Sequence, residues 1–297
     1  LLTSDIRRLR AGDTHCSNIV NGNGGLIDDV LVYCDDTAKF RLSHGEGRLF
    51  QSLCELAPAY DVRVARDDDV HVLSLQGPRS PAVLQSLTRL DLARVRYGIH
   101  RATDLAGAPV SIVRGGFFGE AGFEIFCDRD DVVTLWDAIL VAGRDCGVIP
   151  ISWRCLEIAR VEAGLLFFPY DMPYDDTTPF EVGAGWTVDF DKGDFRGKAA
   201  LLERQGKERF AIAGIEADAD CAMPAGARIT HDAREIGCVT SAVFSRYLMK
   251  SLAMSAVAPA YAVPGTAVTV QADEGQLVKA TIVRLPFYDP LRLRTRV

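Results

Sequence analysis

The sequence contains few of the residue patterns that hold metals. It has five histidines and eight cysteines in 297 residues, but it has no C-x-x-C pair and no H-E-x-x-H segment. Zinc and iron–sulfur sites usually need such closely spaced ligands. We therefore expect no metal site. The scattered cysteines indicate free thiols in a reducing compartment, which favours a cytoplasmic location.

Excess positive charge and long apolar runs are also missing. The formal net charge is -7, whereas a nucleic-acid partner would need a basic face. No apolar run approaches the roughly 20 residues that cross a bilayer, so we predict neither a nucleic-acid nor a membrane partner. A nucleophilic triad finds little support, because G-x-S-x-G is absent.

The pattern of predicted helices and strands changes along the chain. Helical and strand patterns mix in the middle third, including a predicted hairpin of residues 60–65 and 70–75, and favour an α+β sandwich of the ferredoxin-like kind. The last third has short β-rich runs between turns, typical of a small antiparallel β-barrel. These changes in predicted secondary structure divide the chain into three predicted domains: residues 1–50 with 148–206, residues 51–147, and residues 207–297.

One predicted strand, Leu26 to Tyr33, carries two adjacent aspartates. Alternate residues of a strand face opposite ways, so Asp29 and Leu31 share one face and Asp28 lies on the other. An aspartate beside the glycine turn is explained by backbone capping. That explanation covers Asp28 but not a second acid deeper in the strand, which makes Asp29 the better candidate for a functional carboxylate.

A second carboxylate, Glu181, lies in the apolar segment T-T-P-F-E-V-G-A-G-W. Burying a carboxylate without hydrogen-bond donors is costly, so the sequence implies a partner. An arginine of the protein, such as Arg154 or Arg160, and a bound ligand are both consistent with the pattern at this point.

Two further features belong with these acids. The run R-G-G-F-F-G-E-A-G-F-E, residues 114–124, has glycines that allow close backbone approach, but it lacks the βα context of a dinucleotide-binding loop. A glycine-rich hairpin explains it equally well. His44 follows a predicted strand in R-L-S-H-G-E-G, where either a pocket or solvent could receive it.

Taken in order, these segments resemble the aminomethyltransferase family of the glycine cleavage system, the T-protein, together with its tetrahydrofolate-dependent demethylase relatives. The resemblance runs through the whole chain, and the shared order of the motifs makes it specific. The motifs are L-L-T-S-D at Leu1, G-G-L-I-D-D at Gly24, L-Q-G-P at Leu75, G-F-F-G-E-A-G-F-E at Gly116, R-V-E-A-G at Arg160, T-P-F-E-V-G-A-G-W at Thr178, S-L-A-M-S at Ser251 and L-P-F-Y at Leu285.

The resemblance implies a three-domain, cloverleaf-like α+β protein with tetrahydrofolate in a central channel. It implies that Asp29 is the catalytic aspartate near the one-carbon-bearing nitrogens, and that Glu181 grips the pterin. Leu31, Phe117 and Tyr174 are the other implied cofactor contacts. In that family some tens of residues normally precede the position of Leu1, so we expect a leading segment.

Three positions depart from the family pattern and bear on the substrate. Phe117 replaces a tyrosine, Cys16 stands where a tyrosine is common, and His44 stands where an asparagine is common. A histidine near the methyl donor suits general acid–base work, so His44 is a candidate catalytic residue. We therefore favour demethylation of a small one-carbon donor, with a carrier protein or a second subunit as an optional partner.

Two other functions remain open from the sequence. One is a folate-binding protein without transferase activity, although the K-G-C-Y-x-G-Q-E motif of such relatives is missing. The other is the folate-binding part of a flavin-dependent demethylating oxidase.

Overall fold

The computed structural model describes residues 1–44, 48–272 and 275–296, with the backbone alone for His44 and Arg296. The strands are β1 (Thr14–Val20), β2 (Leu26–Cys34), β3 (Phe40–His44), β4 (Val70–Gln76), β5 (His100–Leu105), β6 (Ala108–Arg114), β7 (Gly122–Asp128), β8 (Ala211–Ala217), β9 (Arg228–His231), β10 (Arg234–Ser245), β11 (Lys250–Val257), β12 (Ala267–Gln271) and β13 (Leu277–Val283). The α-helices are α1 (Arg48–Leu56), α2 (Ser80–Gln85), α3 (Val132–Gly143), α4 (Trp153–Glu162) and α5 (Lys198–Arg204).

The first sheet has the antiparallel order β1-β2-β3. One face of β2 is buried, because Val30 and Val32 pack with Ile19 of β1 and Leu49 of α1. The predicted strand at Leu26 is confirmed as β2. Strand β1 was not predicted, since its sequence T-H-C-S-N-I-V becomes apolar only in its last two residues.

The second sheet has the order β4-β7-β6-β5 and is all antiparallel. Helices α2 and α3 cover one of its faces and bury a core that includes Phe123, Ile125 and Leu135. The resulting α/β layer confirms the predicted sandwich, with its elements in the chain order βαβββα.

The predicted hairpin at the start of this layer is wrong. Residues 61–67 contain no strand, and only β4 forms. Val62 alternates with Val64 in the sequence, which suggested a strand, but Val62 is 59% exposed. The alternation fails to produce a strand because residues 61–67 pair with no other described strand, and Val62 stays in solvent between Asp61 and Arg63.

The third sheet closes into a barrel in the order β10-β11-β8-β13-β12-β9, with β9 pairing back to β10. Inward-facing Ile215, Ile229, Val270 and Ile282 are fully buried. The predicted C-terminal antiparallel barrel is therefore confirmed. Closure also satisfies the backbone groups that an open sheet edge would expose.

A buried ion pair ties the barrel to the rest of the molecule. Arg160 of α4 donates from Nη1 to Asp171 Oδ2 at 2.7 Å, and both side chains are almost completely buried. Asp171 also accepts hydrogen bonds from the backbone N–H of Phe167 at 2.8 Å and from Thr240 and Ser241 of β10, each at 2.6 Å. Helix α4, the loop after it and the barrel therefore meet at one carboxylate.

We predict that Asp171→Asn lowers the free energy of unfolding by about 3 kcal/mol, the low end of the cost of breaking a buried pair, because Arg160 keeps Glu157 as a second partner. Urea denaturation followed by circular dichroism measures the change. Lys250→Gln is the matched control, because it removes the partner of the partly exposed Glu216 and should cost less than about 1 kcal/mol. Equal losses in the two variants would contradict a structural role for the buried pair.

Candidate functional site

Strand β2 presents Asp29 on its open face. Asp29 is exposed and Leu31 is half-buried, whereas Asp28 is fully buried. The predicted alternation of the two aspartates is therefore confirmed. Across the β1–β2 ladder, Cys16 lies opposite Leu31, so the open surface around Asp29 includes the Cys16 thiol. We call this surface the Asp29 face.

Three titratable side chains, Cys16, Glu124 and Tyr97, have raised pKa values. Burial, and then the charge of Asp29, raise the pKa of the Cys16 thiol. Burial also raises the pKa of Glu124 in β7. Burial, Cys16 and Glu124 together raise the pKa of Tyr97. At neutral pH Cys16 is therefore held as a thiol rather than a thiolate, which disfavours it as a nucleophile.

Glu181 is buried, with 2% of its surface exposed, and its carboxylate is fully engaged within the protein. Oε2 accepts from the backbone N–H of Thr178 at 2.8 Å and from its hydroxyl at 3.2 Å. Arg209 donates from Nε to Oε1 at 2.6 Å and from Nη2 to Oε2 at 3.0 Å. The partner that the sequence required is thus an arginine of the chain itself.

That arginine differs from both arginines considered in the sequence. Arg160 pairs with Asp171 and with Glu157, and Arg154 is exposed. Arg209 lies in the segment K-E-R-F just before β8, 28 residues after Glu181. The only sign of this pair in the sequence is a basic residue just before the first strand of the barrel. That position alone does not indicate which acidic side chain the arginine contacts.

Arg209 also contacts the ring of Tyr174, which therefore lies close to Glu181. Its guanidinium carbon lies 4.9 Å from the centre of the Tyr174 ring, and its Nη1 donates to Asp176 Oδ1 at 2.8 Å. Burial alone would raise the pKa of Glu181, but the hydrogen bonds from Arg209 and Thr178 outweigh burial and lower it. Glu181 and Arg209 therefore form a charged pair next to an aromatic ring that is half exposed.

The Glu181 turn abuts the start of β2. The backbone N–H of Leu26 donates to the carbonyl of Thr177 at 2.7 Å. A side chain at Gly25 would place its Cβ 2.8 Å from the Cα of Asp176, so only glycine allows this approach. The strand that carries Asp29 thus begins against the turn that carries Glu181.

Phe117 lies in a separate aromatic group. Its ring centre is 5.8 Å from that of Phe167, which is 5.8 Å from Trp153 and 5.4 Å from Tyr170. Gln76 reaches under the glycine-rich loop that carries Phe117 and donates to the carbonyl of Gly115 at 3.1 Å. The structure therefore groups Tyr174 with Glu181, and Phe117 with the aromatic residues around the start and end of α4.

The backbone of His44 ends β3 and pairs with Val30 of β2. Its side chain lies outside the described part of the structure. The assignment of His44 as an acid–base residue stays a prediction, as do the ligand contacts of Asp29, Leu31, Phe117, Tyr174 and Glu181.

Two surface cavities lie away from these residues. One, of about 310 Å³, lies between Val70 of β4 and Ser111 of β6. The other, of about 780 Å³, lies on the barrel around Phe244 and Leu277. Within the described residues, no cluster of three or more histidine, cysteine or acidic side chains is arranged to hold a metal ion, and no helix is long and apolar enough for a membrane span.

An α/β sandwich joined to a closed six-stranded barrel is the fold that this chain shares with an aminomethyltransferase of the glycine cleavage system. Residues 1–192 match the GCVT N-terminal domain, and residues 211–289 match the glycine cleavage T-protein C-terminal barrel domain. The chain belongs to this family.

Similar proteins support the assignment along almost the whole chain. A heme-dependent oxidative N-demethylase gamma subunit from Ectopseudomonas mendocina is 38% identical, covering 97% of this chain and 78% of that protein. An aminomethyltransferase from Streptomyces coelicolor is 34% identical over 97% and 79% of the two chains. The crystal structure of aminomethyltransferase T from Bartonella henselae has a TM-score of 0.85 at 26% identity, covering 97% and 80% of the chains.

We predict that Glu181 contributes stability that acid removes. Its folded-state pKa is lowered relative to about 4.3 for an unperturbed glutamate, so the contribution is present above the unfolded pKa. It is lost as the pH falls through the folded pKa. Between about pH 5 and pH 3, the free energy of unfolding should therefore fall more steeply for the wild type than for Glu181→Gln.

The matched control is Glu203→Gln, an exposed position on α5. Its stability should follow the wild-type pH curve. Parallel curves for the wild type and Glu181→Gln would show that the Arg209 pair contributes nothing to acid sensitivity.

Proposed function

We propose that this protein is a tetrahydrofolate-dependent transferase that takes a methyl or aminomethyl group from a small substrate. Its relatives include proteins named aminomethyltransferase and an N-demethylase subunit. The observation that carries the proposal is the placement of an exposed Asp29 on the strand that begins against the Glu181 turn. The cytoplasm, where tetrahydrofolate and small methylated donors are both available, is the proposed location.

The donor and acceptor groups at Glu181 fit a pterin. A pterin edge offers a ring N–H and an exocyclic amine as parallel donors, and one ionised carboxylate accepts both. Glu181 would accept both pterin donors once the Arg209 guanidinium moves away. Arg209 already donates to Asp176 at 2.8 Å, so the positive charge of Arg209 would still have a carboxylate partner. Tyr174, Leu31 and Phe117 are the proposed apolar contacts. Bound tetrahydrofolate would supply the nitrogen atoms that receive the one-carbon unit.

Asp29 is the proposed catalytic acid of the site. An ionised carboxylate there would orient the substrate amine and stabilise positive charge that develops as the carbon leaves, an effect that increases where water is excluded. His44 is the proposed group that moves a proton to or from the substrate. Cys16, held as a neutral thiol, would border the site without acting as a nucleophile.

The N-demethylase relative favours one variation of this function. Its name gives it as a gamma subunit, so a related role for this chain is the folate-binding part of a larger demethylating oxidase. In that role, the oxidation would take place on a partner subunit, and this chain would collect the released one-carbon unit.

We predict that Asp29→Asn lowers turnover at least about 100-fold, a typical loss for a group that stabilises charge in the transition state. The affinity for tetrahydrofolate should change little, because the pterin edge is assigned to Glu181. Formation of methyl- or methylene-tetrahydrofolate from methyl-sulfonium, N-methyl amine and methoxy-aromatic donors measures turnover, and calorimetry measures binding.

Asp104→Asn, an exposed aspartate on β5, is the control for the Asp29 substitution and should keep wild-type turnover. His44→Gln in the same assay should flatten the pH dependence of the rate. Unchanged turnover in Asp29→Asn, with wild-type protein active, would remove Asp29 from the mechanism.

Glu181→Gln should weaken tetrahydrofolate binding by roughly tenfold to a hundredfold, because it loses a charge-assisted bidentate contact. Glu203→Gln again serves as the control, since both substitutions remove one carboxylate charge. Binding measured at pH 7 separates this effect from the acid sensitivity of the fold. Equal affinities in all three proteins would exclude Glu181 as the pterin contact.

A further inference from the structure

Asn18 of β1 shares the Asp29 face of the first sheet. In the β1–β2 ladder it lies directly opposite Asp29. Side chains of directly opposed residues lie on the same side of a sheet, with their Cβ atoms about 4.5–5.5 Å apart. Asp29 is exposed, whereas Asn18 is only 4% exposed. A buried amide is therefore the neighbour of the proposed catalytic carboxylate.

Hydrogen bonds fix the position of Asn18. Its backbone N–H donates to the hydroxyl of Thr3 at 3.2 Å, and its carbonyl accepts from the backbone N–H of Thr3 at 3.0 Å. The Thr3 hydroxyl donates in turn to the carbonyl of Thr187 at 3.1 Å. The side-chain Nδ2 of Asn18 donates to the Thr187 hydroxyl. Because both threonines are buried, the backbone and the side chain of Asn18 are held by the same rigid contacts.

The orientation of the Asn18 amide follows from the protons that are available. The Thr187 hydroxyl donates its one proton to the carbonyl of Ala184 at 2.7 Å, so it can only accept from Asn18. The NH2 group of the amide therefore faces Thr187, and Oδ1 lies on the other arm. No described group in residues 1–44, 48–272 or 275–296 donates to Oδ1. Buried side-chain oxygens normally have a donor, which a ligand on the Asp29 face would supply.

We infer that Asn18 Oδ1 accepts a hydrogen bond from an N–H of the one-carbon donor and thereby selects a protonated N-methyl amine with at least two N–H groups. The inference rests on the proposed function, in which Asp29 orients the substrate amine. Such an amine is an ammonium ion at neutral pH. One of its N–H groups donates to the Asp29 carboxylate, and a second donates to Asn18.

The other donor classes leave this oxygen without a partner. Methyl-sulfonium and methoxy groups have no N–H. A tertiary ammonium ion has one, and the charged carboxylate of Asp29 is the stronger acceptor for it. A site that hydrogen-bonds a substrate N–H rejects analogues that lack it, because a buried polar group is then unpaired. Asn18 is thus a specificity-determining residue of the site.

The test uses three cations that differ in their N–H groups. Dimethylammonium has two, trimethylammonium has one and tetramethylammonium has none, while all three carry one positive charge. Calorimetry on the wild type should show the highest affinity for dimethylammonium. Asn18→Leu, which is nearly isosteric, should bind dimethylammonium at least about tenfold more weakly, the loss of a hydrogen bond to a charged group. Its affinity for the other two cations should change little.

Three comparisons show that the effect comes from the amide oxygen. Asn18→Leu should bind tetrahydrofolate as the wild type does, because the pterin is assigned to Glu181, and this binding also reports that the variant is folded. Asn18→Asp keeps an acceptor at the position but loses the NH2 group that faces Thr187, and it should still prefer dimethylammonium to trimethylammonium. Asn23→Leu, at an exposed asparagine before β2, is the matched control and should change no affinity.

Two results would overturn the inference while the proposed function stands. One is a wild type that binds tetrahydrofolate without preferring dimethylammonium. The other is loss of the preference in Asn18→Asp as well as in Asn18→Leu, which would assign the effect to the contact with Thr187. If the wild type does not bind tetrahydrofolate, the proposed function fails, and the inference fails with it.

Discussion

The buried Arg160–Asp171 pair is the interaction that fixes the barrel against α4 and the loop after it. Removing two charges from water is favourable only when every lone pair finds a donor, and Asp171 meets that condition with four hydrogen bonds. Two of those donors come from β10 of the barrel. The barrel is thus oriented by a charge that belongs to the loop after α4, and Arg209, just before β8, reaches Glu181 from the barrel side.

Glu181 and Arg209 form a second buried carboxylate–arginine pair, at the candidate site. A buried carboxylate needs donors, and in this structure Arg209 and Thr178 provide them. Arg209 also reaches Asp176, so it has a second acid available whenever a ligand takes the Glu181 carboxylate. A carboxylate with an internal partner discriminates between ligands, because only a ligand with well-placed donors can replace that partner without loss.

Much of the fold could be predicted from local patterns. The period-two alternation of β2, the helix over Val132–Gly143 and the short runs of the barrel were all visible, because each buries one face of a regular element. The failures have a common cause. Residues 60–65 alternate as a strand should but pair with no other described strand, whereas β1 is a strand because β2 pairs with it, although its own sequence is mostly polar.

The sequence by itself determined the family, the separation of Asp28 from Asp29, and the need of Glu181 for a partner, because motif order, strand period and desolvation cost are all local properties. Only the tertiary structure decided which arginine meets Glu181, and that Tyr174 lies with Glu181 whereas Phe117 lies with the aromatic residues around α4. Those outcomes depend on contacts between residues far apart in the chain, and local patterns do not encode which distant charges and rings the packing of three sheets brings together.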